Sequence, residues 1–97
     1  MKTVSKKQAN RFWKVGNKYF IRTVTNYYVG ELAREEEDQV ILKKAAWVAD
    51  TGRFADFLKT GNANEVEPYP DNIEVAVPKT GVIDASQWSH TLPMSQK

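Results

Sequence analysis

The chain has 97 residues, 41% of them hydrophobic and 27% charged, and no cysteine. That composition fits a single globular domain over residues 1–97 and excludes disulfides, thiolate zinc sites and a thiol nucleophile. The longest apolar runs fall far short of the roughly 20 residues a spanning helix needs. The N-terminal lysines precede no apolar signal-peptide stretch, so a cytoplasmic protein with no membrane partner is expected.

The net charge of +2 hides an asymmetry. Lys2, Lys6, Lys7, Arg11, Lys14, Lys18 and Arg22 fall in residues 1–30 with no acid among them, and every Asp and Glu lies beyond. Such a split suits either an acidic partner or charge pairing between subunits, and equally a solvated basic arm.

Residues 1–11 read as a basic arm or a short helix, with Ser5 and Gln8 as a weak capping box. Phe12–Val15 and Tyr19–Thr25 read as strands around Gly16-Asn17-Lys18, residues that tolerate a tight hairpin. A turn at Asn26-Tyr27 leads to a strand over 28–34, in which Gly30 predicts a bulge. The acidic run Glu35-Glu36-Glu37-Asp38 is a solvated turn, lacking the alternating oxygen ligands and glycine of a calcium loop. A strand follows over 39–47. Three strand-like runs between Phe20 and Trp47 with short turns predict an antiparallel meander.

Phe54, Phe57 and Leu58 then take helical spacing. A helix over 53–60 is predicted, capped by Asp50 or Thr51 and closed by Gly61. Residues 61–71, rich in proline, asparagine and acids, read as a loop. Ile73, Val75 and Val77 alternate as a half-buried strand ended by Pro78. Thr80-Gly81 turns the chain into a last strand over 82–88, and 91–97 reads as a disordered tail. The fold class is mostly β: a small SH3- or Sm-like curved antiparallel sheet or barrel with one short helix. Apolar residues on both faces of the strands, as in Val40-Ile41-Leu42, call for cover on both sides by a helix or another subunit, so a homo-oligomer is expected.

Catalytic and metal chemistry find little to work with. His90 is the single histidine. Ser89 beside it would point to the opposite side of a strand, away from any shared triad with Asp84. One histidine without cysteine gives a poor transition-metal set, and no glycine-rich phosphate loop is present. The chain is therefore read as a non-enzyme without a cofactor. Binding chemistry is better represented. Arg22, Asn26, Tyr27 and Tyr28 flank one turn, where rings and a guanidinium suit a nucleotide's base and phosphate. Trp47, Asp50, Thr51 and Arg53 lie where strand gives way to helix, and a helix N-terminus favours an anion. The plain alternatives are a core Trp47 and strand-pairing tyrosines.

Two resemblances follow from these motifs. Gly30-Glu31-Leu32, Asp38 through Leu42 and Val75-Ala76-Val77-Pro78 resemble the motifs of Sm-like RNA-binding proteins, which implies a small barrel and a ring-like oligomer. The order Ile21-Arg22-Thr23, Gly30-Glu31-Leu32, Val40 through Ala45, Trp47, Leu58 to Gly61 and Val77-Pro78 is similar to a family of short phage and prophage proteins of uncharacterised function. That likeness implies a phage setting. The expectation is a small oligomeric binding protein that counters host defence, by sequestering a nucleotide signal or blocking a defence protein. An Sm-like RNA or DNA binder and a minor virion or assembly protein are the alternatives.

Overall fold

The computed structural model describes residues 11–97. The expected arm or helix at Ser5 and Gln8 lies outside them. The strands are β1 (Lys18–Thr23), β2 (Tyr27–Glu35), β3 (Gln39–Asp50), β4 (Glu65–Pro68), β5 (Val75–Pro78) and β6 (Val82–Gln87). One helix, α1 (Phe54–Thr60), follows β3, and a single 3-10 turn, Lys79–Gly81, precedes β6. All strands join one antiparallel sheet in the order β4-β3-β2-β1-β6, with β5 also on β3. The meander predicted between Phe20 and Trp47 is β1-β2-β3, and the mostly-β, one-helix class is what forms. Among the described residues the sheet is open, not a closed barrel.

β3 organises the sheet. One of its edges pairs with β2. The other takes β5 along Gln39–Leu42 and β4 along Ala46–Asp50. Between these two halves, Lys44 has φ 51°, a left-handed conformation uncommon for a residue with a side chain. The β2–β3 register shifts at that point, setting Lys44 and Ala45 against Gly30 alone. Gly30 gives room there: a Cβ would stand 3.2 Å from the Ala45 Cα and from the Leu42 Cβ, a tight contact. A second shift, between Leu32 and Arg34, places the extra residue on β2. These bulges explain why β3 does not alternate cleanly.

Both faces are covered from within the chain. On one, Phe20, Val29, Ala46, Val48 and Val66 pack with Phe57 of α1, Trp88 and Leu92. On the other, Tyr19, Ile21, Leu32, Val40, Leu42 and Ala45 pack with Val77, Trp13 and Tyr69. The apolarity of both faces therefore needs no second subunit. Phe20, Phe57 and Trp88 meet with ring centroids 4.9 to 6.2 Å apart, within the range where aromatic pairs add to simple burial.

Several local expectations change. Phe12–Val15 is not a strand. Its backbone is taken by the buried Tyr19 hydroxyl, which donates to the Phe12 carbonyl (2.7 Å) and accepts from the Lys14 N–H (2.8 Å). The β1–β2 turn falls at Val24-Thr25, two residues earlier than Asn26-Tyr27, because Thr23 and Asn26 close it through both backbone and the Thr23 hydroxyl. Within the expected loop 61–71 lies β4, recruited by the free edge of β3. The helix starts at Phe54, with Arg53 as N-cap and no side-chain cap. Asp50 Oδ1 instead accepts from the Gly52 N–H, and the Thr51 hydroxyl donates to the Gly52 carbonyl. Gly61 closes α1 at φ 80°, as expected.

Residues 91–97 are not a free tail. Leu92 packs on the core, the Trp88 indole N–H donates to the Thr91 carbonyl, and Lys97 and Val66 exchange two backbone hydrogen bonds of 2.8 and 2.9 Å. The segment thus crosses the α1-side core and meets the outer edge of β4 at Lys97. Among the described residues, no helix is long and apolar enough to cross a membrane.

Candidate aromatic binding face

The eight residues singled out from the sequence do not form one site. Tyr27 and Tyr28 are neighbours on a strand, so their side chains leave on opposite faces. Tyr27 packs on the α1 side and Tyr28 on the other. The group divides accordingly.

On the α1 side stand Arg22 and Tyr27. The Arg22 guanidinium lies 4.7 Å from the Phe54 ring centroid and 6.0 Å from that of Tyr27. Asp84 of β6 takes it in a two-pronged pair: Arg22 Nε–H donates to Oδ1 at 2.8 Å, and Nη2 to Oδ2. This hydrogen bonding raises the Arg22 pKa well above its ordinary value and holds the Asp84 carboxyl below the usual carboxylate range. The arginine's charge is already matched, and its planar face already stacked. Neither Phe54 nor Asp84 was singled out from sequence as its partner. Asp84 stands 62 positions away, and no local pattern announces such a pairing.

Asp50 and Thr51 are occupied in shaping the turn at Gly52. Arg53 is exposed at the start of a seven-residue helix, too short to concentrate much dipole. The anion site expected at the strand-to-helix junction therefore lacks its supports.

On the opposite face, Tyr28 and Trp47 are direct partners across the β2–β3 ladder. Asn26 Nδ2 donates to the Tyr28 hydroxyl at 3.3 Å, so three of the eight residues meet here. Trp47 is not a core residue: it is 40% exposed. β4 brings Glu67 directly opposite Trp47. Beyond it, Pro68, Tyr69 and Pro70 complete a shallow cleft of about 230 Å³ with Trp47 and Glu67. The Tyr69 N–H donates to the Ala45 carbonyl at 2.9 Å, which pins its backbone to β3. Burial, with a smaller contribution from the Tyr28 charge, raises the Tyr69 pKa above that of a free phenol. Glu67, Pro68, Tyr69 and Pro70 were missed from sequence because they were assigned to a loop. The Glu65-Val66-Glu67 alternation was their only signal.

A larger cleft of about 560 Å³ lies between the α1-side core and residues 91–97. Its floor of Val29, Val48, Phe57, Val66 and Trp88 is 6% exposed or less, so the 91–97 segment already covers it. Among the described residues, no three His, Cys, Asp or Glu side chains gather where they could hold a metal ion. His90 Nε2 bonds the Leu58 carbonyl at 2.8 Å, and the ring packs edge-on against Trp88, so its role is to tie the segment after β6 to α1.

Comparison with protein-family models, with curated proteins and with solved structures finds no match.

Proposed function

We propose that this chain is a non-catalytic binding protein of phage type whose contact surface is the Trp47 face, and that it acts by occupying a protein of host defence. The observation that carries this reading is the exposed Trp47 indole framed by Tyr69 and two prolines. Exposed tryptophan and tyrosine give large rigid contact area at low entropic cost, which is why they dominate binding hot spots. A shallow aromatic and proline surface suits an extended segment of a partner protein. Small-molecule pockets run larger, about 300–1,000 Å³. Glu67 beside Trp47 favours a basic residue in that segment and disfavours a phosphate. The phage setting is supported by the order of short motifs from Ile21-Arg22-Thr23 to Val77-Pro78, and blocking a host protein is the task such a setting gives a small non-enzyme.

The test is titration of the isotopically labelled protein with extended peptides carrying proline and arginine, alongside acidic counterparts. The indole N–H signal of Trp47 is expected to shift with the basic set and not with the acidic one. A Trp47 signal unmoved by every peptide, with the protein folded, sinks this reading.

A nucleotide is the second reading, supported by the Arg22 guanidinium stacked over Phe54 and near Tyr27. A nucleotide phosphate there must displace Asp84 from Arg22. Thermal stabilisation by a panel of linear and cyclic nucleotides, abolished by Arg22→Gln, would favour this reading over the first.

A further inference from the structure

We propose that the outer edge of β6 is a self-pairing surface, through which two copies of this chain join their sheets into one. A sheet edge presents unpaired N–H and C=O groups, and stable proteins guard such edges with charge, proline, bulges or covering segments. Two of the three outer edges here are guarded. That of β4 is met by Lys97 through Val66. β5 is four residues long and ends in Pro78, which has no N–H to offer.

β6 is different. Its six residues, VIDASQ, pair with β1 on one side, and among the described residues no strand pairs with the other. It contains no lysine and no proline. Its one charge, Asp84, is matched by Arg22 from its own chain. Its one bulge, at Ile83, lies near the start of the strand, and Asp84 through Gln87 keep an unbroken register with β1. Ile83 is 61% exposed, and Val24 at the adjoining β1–β2 turn is 78% exposed, so apolar surface flanks the open edge.

The outward groups follow from the pairing. The Trp88 N–H donates to the Lys18 carbonyl of the neighbouring chain segment. Backbone groups of successive residues point to alternate sides of a strand. Ser86 and Asp84 thus face β1, and Ala85 and Gln87 face outward. A second copy can add antiparallel about a twofold axis perpendicular to the sheet, the usual symmetry of a homodimer. That operation keeps each face on its own side, so two registers are compact: Asp84 opposite itself or Ala85 opposite itself. The first sets two carboxylates directly across from each other, which is unfavourable. The second places outward-facing Ala85 groups in a doubly hydrogen-bonded central pair. It also sets each Asp84 across from a serine hydroxyl, Ser86 of the second copy. The Ala85-centred register is therefore the one assigned.

The experiment is light scattering at about 10 μM and about 500 μM, since self-association follows mass action, with amide hydrogen exchange at both concentrations. Two variants accompany the full chain. Ala85→Pro removes an outward N–H that β1 does not use, and Ile83→Lys adds a charge at the exposed edge. The expected result is a mass that rises toward the dimer and an Ala85 amide that exchanges about tenfold more slowly at the higher concentration. Both variants should stay monomeric. Ile83→Lys, at a largely exposed position, should also melt close to the wild-type temperature. A monomer at both concentrations overturns the proposal, as does a dimer that survives both variants. An Ala85 amide protected equally at both concentrations in a monomer overturns it too, because the chain would then cover its own edge.

Discussion

Tyr28 and Trp47 stand directly opposite each other on neighbouring strands, on the face of the sheet that α1 does not cover. Their relationship separates stability from recognition. Replacing Trp47 by Ala removes a half-exposed ring and should cost at most about 1–2 kcal/mol of stability. The same change should weaken peptide binding by about tenfold or more, as expected for a hot-spot tryptophan. Isothermal titration beside a melting curve checks both. A variant that binds normally would remove Trp47 from the contact surface.

Phe57→Ala should behave in the opposite way. Phe57 is 2% exposed and packs against Phe20 and Trp88. Truncating such a ring costs about 3–5 kcal/mol, a large share of the stability of a small domain. Denaturant unfolding should show a much lower midpoint, or a protein no longer cooperatively folded.

Gly61 and His90 can be tested as a pair. Gly61 has φ 80°, and a Cβ there would lie 2.6 Å from the His90 Cγ. Gly61→Ala should therefore destabilise by more than about 1 kcal/mol. A Cβ there would also lie 2.8 Å from the His90 Cβ, so only a His90→Gly background removes the clash, and the backbone strain stays. The penalty should shrink without vanishing, and a double-mutant cycle reads the difference.

The pH dependence has a defined sign. Hydrogen bonding from Gln39 lowers the Glu36 pKa, as Arg22 lowers that of Asp84. The unfolded chain takes up these protons first, near about pH 4. Their stabilisation is complete above that value and is lost as pH falls through the lower folded values. Tyr69 acts at the other end: its raised pKa gives a contribution complete below about pH 10 and lost as pH rises further. Melting temperature should fall below about pH 4. Asp84→Asn should flatten that acid limb.

The sequence declared what depends on neighbouring residues. The β1–β2–β3 meander showed itself through alternation and through Gly30, whose missing side chain marks the bulge. The helix showed itself through Phe54, Phe57, Leu58 and the Gly61 stop. What stayed hidden depends on partners far along the chain. β4 has one apolar residue, Val66, among acids and prolines, and becomes a strand because β3 is long enough to offer an edge. The Arg22–Asp84 pair and the Trp47–Glu67 opposition are products of register. One division could have been read directly: Tyr27 and Tyr28 are consecutive on a strand and so could never serve one face together.

The two bulges between β2 and β3 have a consequence for how this protein tolerates changes in length. Each adds one residue, the first on β3 at Lys44-Ala45 and the second on β2 between Leu32 and Arg34. Their offsets cancel, so the strands leave the ladder in the phase at which they entered it. Ala45 shares a face with Leu42 and Val40 although it stands three positions after Leu42, because the bulge takes Lys44 out of the alternation. Dropping Lys44 would leave every inward and outward assignment on β3 unchanged and would remove only the bend. A deletion at almost any other position in the strand would turn half of it inside out. Lys44 thus carries shape without carrying identity, and it is the position where a lineage could shorten β3 and keep the same core.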